Sequence, residues 1–298
     1  MTFPVRVPAR WLASAMARLA FMSGVGYVAA AYSVSRFLTR SRCRKLTATP
    51  ADRALDYRDV SFNTEDGVRL AGWLVEPKDP IATVALFHGM RHNREALLSR
   101  IGLLHDAGYR CLAIDHRAHG ESSGKRISFG WYESRDVRAA AGWLEEQFPS
   151  QPRYAFGTSM GAAAICFAGP ECGWKGIVLE GAYCDLNAAF RRRIGGYYPA
   201  WFGQLHPAVV WITERRLRMR MSDIRPVDAV ARFLGVPVLV LSGERDVLAP
   251  PADGLDMQNA IAASQHAVIP GAGHNDACEK GGEAYRDLLV HFLASAAA

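Results

Sequence analysis

Tyr154-Ala155-Phe156-Gly157-Thr158-Ser159-Met160-Gly161-Ala162-Ala163-Ala164 is the stretch that decides the fold. A short apolar run leads into G-x-S-x-G, and a string of small residues follows. A strand that turns sharply into a helix brings backbone atoms close together, so the positions flanking the serine must be small. Such a turn holds the serine hydroxyl exposed, and the helix N-terminus behind it aims N–H groups at developing negative charge. The pattern alone is weak, because Gly120-Glu121-Ser122-Ser123-Gly124 matches it too. That second copy follows no strand directly and runs into Lys125-Arg126 rather than a helix, so it reads as a loop.

Strand and helix signals alternate on both sides of the first match. Glu65-Asp66-Gly67 is a turn signal between apolar runs at 60–63 and 68–75, which predicts an antiparallel hairpin. Further strands are expected at 84–87, 111–114, 154–156, 177–179, 236–241 and 267–269. Helical spacing marks Leu97, Leu98, Ile101 and Leu104, then Val137, Ala141, Leu144 and Phe148. It returns at the end of the chain in Tyr285, Leu288, Leu289, Phe292 and Leu293. This alternation predicts an α/β fold, a mostly parallel central sheet with helices on both faces. Residues 183–225 interrupt it with seven aromatics and eight arginines, and read as a helical insertion, either a cap over the site or extra packing. The expected organisation is a tail at 1–46 and one α/β domain at 47–298.

With 298 residues, 50% of them hydrophobic, the chain can bury a large core, which excludes disorder and a disulfide-stapled mini-domain. The net charge of +6 suggests a nucleic-acid partner until it is located. Residues 1–45 carry eight basic side chains and no acid, so residues 46–298 sum to −2. The basicity belongs to the tail, and no nucleic-acid partner is expected. The six cysteines form no C-x-x-C pair and no metal spacing, so neither a zinc site nor any other metal site is read. Gly24-Val25-Gly26 resembles a dinucleotide fingerprint in letters only, since no strand precedes it, and no cofactor is expected.

The tail contains seventeen uncharged residues, 19–35, between Arg18 and Arg36. A bilayer core needs about 20 apolar residues and about 17 at the lower limit. The stretch is read as a short membrane anchor. The five basic residues of 36–45 then favour a catalytic body on the cytoplasmic side. A signal peptide cleaved near Ala29-Ala30-Ala31, and a packed amphipathic helix, are the other two readings, corresponding to an exported and a soluble cytoplasmic protein.

Open α/β sheets place ligands at the carboxyl ends of their strands, so reactive residues there matter most. Ser159 sits after the strand at 154–156. Asp246, in Ser242-Gly243-Glu244-Arg245-Asp246, follows the strand at 236–241, and His274, in Gly271-Ala272-Gly273-His274, follows the last one. A serine hydroxyl needs a base, and the base needs an orienting acid. Glu244, Glu180 and Asp185 are rival acids by position. His116 and His119 could suggest a metal, but no carboxylate cluster accompanies them, and they read as structural together with Asp115, Arg117 and Ser122.

With His88-Gly89-Met90 and Asp115-His116-Arg117-Ala118-His119-Gly120-Glu121-Ser122 added to these residues, the chain resembles a serine hydrolase of the α/β-hydrolase superfamily across about residues 55–296. The resemblance implies a Ser159–Asp246–His274 triad, and oxyanion-hole N–H groups from Met90 and Met160. Two positions depart from the commonest pattern: Ala118 stands where many relatives have Gly, and Met90-Arg91-His92 replaces a Gly-rich oxyanion loop. The expected activity is hydrolysis of a carboxylic ester through an acyl-enzyme. The aromatics of the insertion and the apolar tail favour a small acyl ester, an acyl lipid or a thioester as substrate. A peptidase or amidase with the same triad, and a non-catalytic binding protein on this fold, are the alternatives.

Overall fold

A computed structural model describes the backbone at residues 9–41, 45–197 and 200–296; side chains of residues 9–22, 194–197 and 200–202 are outside the described set. Eight strands form one sheet: β1 (Tyr57–Asn63), β2 (Arg69–Val75), β3 (Ala82–Phe87), β4 (Tyr109–Ile114), β5 (Arg153–Thr158), β6 (Ile177–Glu180), β7 (Val238–Gly243) and β8 (Ser264–Ile269). Their order is β1-β2-β4-β3-β5-β6-β7-β8. β2 runs antiparallel to both β1 and β4, and every other pairing is parallel. The 65–67 turn makes the expected hairpin.

The central strands are mostly apolar on both sides because both sheet faces are covered. Successive side chains of β3 alternate between two cores. Val84 and Leu86 pack with Leu97, Ile101 and Leu104 of the segment entering α2 (Leu98–Asp106), and with Tyr285, Leu289 and Phe292 of α9 (Ala277–Ser295). Ala85 and Phe87 face the other way, onto Val137, Ala141 and Leu144 of α3 (Ser134–Gln147) and Ile165 of α4 (Met160–Ala168). The strand order reverses between β3 and β5, which opens a crevice at their carboxyl ends. Ser159 and the Gly89-Met90 loop sit there.

Between β6 and β7 the insertion is helical, as expected: α5 (Leu186–Tyr197), a 3-10 turn, α6 (His206–Leu217) and the short α7 (Pro226–Val230). α8 (Pro251–Asn259) follows β7 and covers the sheet edge with Met257.

The tail corrects one expectation. Residues 9–39 are helical, α1 (Ala9–Thr39), yet among the described residues no helix is long and apolar enough to cross a membrane. Residues 19–22 of the apolar stretch lie outside the described side chains. The following half packs on the insertion. Ala31 and Leu38 are buried, the Tyr27 hydroxyl donates to the Gln204 carbonyl at 2.7 Å, and Ser35 and Thr39 are fully buried polar groups. The Thr213 hydroxyl donates to Ser35 at 2.9 Å, and the Arg216 guanidinium donates to Thr39 at 2.9 Å. Those buried hydroxyls face α6, where each finds a polar partner.

Candidate active site

β5 ends at Thr158 and α4 starts at Met160, so Ser159 is the corner, with φ 50° and ψ −109°. An L-residue at positive φ stores roughly 1–2 kcal/mol of strain, which the surrounding packing must hold. The Ser159 N–H donates to the Glu180 carbonyl at 2.8 Å, pinning the corner to β6. The flanking glycines are forced by contact. A Cβ at Gly161 would lie 2.2 Å from the Phe87 carbonyl oxygen, and one at Gly157 2.6 Å from the Ala162 nitrogen.

His274 Nε2 lies 2.9 Å from Ser159 Oγ, and His274 Nδ1 lies 2.7 Å from Asp246 Oδ2. Asp246 is buried, and its other oxygen accepts the N–H groups of Leu248 at 2.8 Å and Ala249 at 2.9 Å. A carboxylate can only accept, so Nδ1 carries the proton and Nε2 is left to receive the serine's. The three residues expected to act together are therefore brought together from the ends of β5, β7 and β8.

The rival acids are occupied elsewhere. Glu180 points beneath the sheet end, where the buried Arg100 guanidinium and the Tyr285 hydroxyl donate to it. Glu244 accepts the Gly271 N–H at 2.7 Å, and Asp185 accepts the Ala188 N–H at 2.7 Å and pairs with Arg225 at 3.0 Å. Ser122, the serine of the second motif, is buried; its hydroxyl donates to the Asp115 carbonyl at 2.6 Å and accepts the Ala71 N–H at 2.9 Å. It stitches the 115–124 loop to β2.

Met160 opens α4, where the first N–H groups lack intrahelical partners, and Met90 lines the cavity in front of Ser159. The loop after β3 packs on the corner at Gly89, where a Cβ would sit in ordinary van der Waals contact with Ser159 Cβ, at 3.5 Å. Arg91 adopts φ 67°, which turns the loop away without a Gly-rich sequence. Its N–H donates to His119 Nε2 at 3.1 Å, while His119 Nδ1 donates to the Arg117 carbonyl at 2.9 Å. His88 Nε2 in turn accepts the His116 N–H at 3.0 Å. Burial lowers the His119 pKa to about 4 and pushes that of His88 well below its usual value, so both rings are neutral and can accept. His119, which read as merely structural, and His88 of the His88-Gly89-Met90 motif thus support the loop beside the reactive serine. Ala118 takes φ 62°, the left-handed conformation that explains why glycine suits this position.

A cavity of about 540 Å³, counting space open to solvent at its mouth, lies over Ser159 and His274. Its walls are Leu38 of α1, Phe129, Tyr183 and one stripe of α5: Leu186, Ala189, Phe190 and Arg193. The tail therefore contributes to the site through Leu38, which no motif signalled. Among the described residues no group of three or more His, Cys, Asp or Glu side chains could hold a metal. The five described cysteines, Cys111, Cys166, Cys172, Cys184 and Cys278, are free and buried; Cys43 lies outside the described residues.

Residues 78–232 match the sequence family described as serine aminopeptidase, S33, and residues 218–298 match the one described as TAP-like protein. The chain belongs to the α/β-hydrolase superfamily. An esterase of Pyrococcus furiosus superposes on this α/β hydrolase with a TM-score of 0.73 at 23% identity, over 86% of this chain and 98% of that one. A thermophilic esterase from Thermogutta terrifontis does so with 0.57 at 21% identity, over 80% and 99%. An uncharacterized protein of Mycobacterium tuberculosis is 29% identical over 246 residues, 80% of each chain. A monoacylglycerol lipase of Mycolicibacterium smegmatis is 32% identical over 111 residues, 35% of this hydrolase and 39% of the lipase.

Proposed function

We propose that this hydrolase cleaves carboxylic esters of an apolar acyl group, with Ser159 as nucleophile, His274 as general base and acid, and Asp246 as the orienting carboxylate. The observation that carries the reading is the unbroken chain Ser159 Oγ–His274–Asp246, at 2.9 and 2.7 Å, opening into an apolar cavity. Ser159 attacks the ester carbonyl as Nε2 of His274 takes its proton. The resulting imidazolium is stabilised by Asp246, and the N–H groups of Met90 and Met160 receive the oxyanion. His274 then protonates the departing alcohol, and water repeats the sequence on the acyl-enzyme. The cavity walls of Leu38, Phe129, Leu186 and Phe190 suit an acyl chain, because each CH₂ removed from water gains about 0.8 kcal/mol.

Hydrolysis of p-nitrophenyl esters from acetate to palmitate, in wild type beside Ser159→Ala, tests this. Turnover that depends on Ser159 and peaks at one chain length is expected. Ester turnover equal in the two proteins would overturn it. The second reading, amide cleavage, is favoured by the description of the family matched at 78–232. Turnover of aminoacyl p-nitroanilides with no turnover of esters would select it.

A further inference from the structure

Besides Ser159 and His274, which the proposed reaction uses, the guanidinium of Arg193 is the polar group of the cavity wall that has no protein partner among the described residues. Tyr183, the other polar side chain of the wall, donates its hydroxyl to the Phe129 carbonyl at 2.5 Å. The run Arg191-Arg192-Arg193 divides its labour by helical position. Arg191 is exposed, and Arg192 pairs with Asp253 at 2.5 Å and donates to the Leu248 carbonyl at 3.0 Å. Arg193 stands three residues beyond Phe190 and seven beyond Leu186, so it continues the α5 stripe that lines the cavity. Among the described residues no carboxylate lies within ion-pair distance of it, although Arg94, Arg100, Arg110 and Arg117 are all paired with carboxylates. A half-buried cation on an apolar wall forgoes part of its hydration, and its planar fork matches a carboxylate or a phosphate.

We infer that Arg193 is an anion subsite of the acyl pocket, and that this hydrolase prefers ester substrates bearing a negatively charged group, carboxylate or phosphate, remote from the scissile bond. The inference rests on the esterase reading above. Ser159 cleaves the ester at the floor of the cavity while Arg193 fixes the charged end, so the subsite selects substrates and takes no part in bond making.

The test compares kcat/KM for p-nitrophenyl hexanoate with that for the mono-p-nitrophenyl ester of adipic acid, which carries a terminal carboxylate at similar length. A second pair, p-nitrophenyl hexanoate and p-nitrophenyl 6-phosphonooxyhexanoate, whose phosphate stands at the far end of the acyl chain, distinguishes phosphate from carboxylate. Wild type is expected to favour the charged member of at least one pair by about tenfold (~1.4 kcal/mol). Arg193→Gln should abolish that ratio, Arg193→Glu should invert it, and Arg191→Gln on the exposed face should keep it. A wild-type ratio at or below one in both pairs, or a ratio that survives Arg193→Gln, would overturn the inference. If no ester is turned over, the esterase reading fails separately. Slowing of fluorophosphonate labelling at Ser159 by adipate then reads the subsite without turnover. Slowing in wild type and not in Arg193→Gln supports it, and equal rates in the two proteins overturn it.

Discussion

The N–H of Arg91 donates to Nε2 of His119 at 3.1 Å, and this bond ties the loop carrying Met90 to the loop that follows β4. Met90 is one of the two oxyanion donors in the proposed reaction. His119 touches no substrate, so it is a positioning residue. His119→Ala should lower kcat by about 10–100-fold, within the 10²–10³ attributed to losing one oxyanion donor outright. KM should change by less than about threefold, because the loss falls on the transition state. Steady-state kinetics of the two proteins on one ester separate the terms. A loss confined to KM would assign His119 to substrate binding.

The same ring makes stability pH-dependent. His119 is held neutral by burial, with its pKa lowered from 6.5 to about 4, and His88 shifts in the same direction. Between these values the unfolded chain binds protons that the folded one refuses, so stability is complete above pH 6.5 and falls as the pH drops toward 4. For His119 the loss amounts to ~3 kcal/mol at the acid end. Urea midpoints measured from pH 7 to 4 should fall less steeply in His119→Gln than in wild type. Parallel curves would show that the His119 ring binds its proton equally in both states.

The two G-x-S-x-G serines should separate cleanly. Ser159→Ala is expected to lose at least about 10⁴-fold in kcat, as removal of a triad nucleophile does. Ser122→Ala should keep most of its kcat and lose about 1–3 kcal/mol of stability, since it leaves the buried Ala71 N–H without its acceptor. Activity assays beside urea denaturation distinguish the two effects.

The four candidate acids separate in the same way. Asp246→Asn should drop kcat about 10⁴-fold with little change in stability, by favouring the wrong imidazole tautomer. Glu180→Gln should instead destabilise the fold by about 3–5 kcal/mol, because it leaves the Arg100 guanidinium charged and uncompensated in the interior. Glu244→Gln and Asp185→Asn should keep kcat within about threefold, as surface substitutions away from the reacting groups do. A kcat loss in Glu244→Gln matching that of Asp246→Asn would move the orienting role to Glu244.

The strands were legible because buried parallel strands are written as unbroken apolar runs, and the reactive residues because each follows such a run directly. Gly157 and Gly161 could be read for the same reason: contacts of 2.6 and 2.2 Å leave room for hydrogen alone. What could not be read depended on distant partners. The stretch at 19–35 has the composition of a short span, and long-range partners such as Gln204 for Tyr27 and Thr213 for Ser35 show that part of it docks on the insertion. Leu38 reaches the cavity from a helix more than a hundred residues away in sequence from Ser159. The role of His119 rests on the φ of 67° at Arg91, which no local pattern announces. Arg193 looks like one more cation in a solvated run until α5 is wound and its stripe is set over the cavity.

The most direct measurement is the site of acylation. Rapid acid quench after mixing with a p-nitrophenyl ester, followed by peptide mass analysis, should place one acyl group on the peptide containing Ser159. The p-nitrophenol burst should match the enzyme concentration. An acyl group found on the peptide containing Ser122 would contradict the assignment of the nucleophile, and so would steady turnover with neither burst nor adduct under any quench condition in which Ser159→Ala remains active.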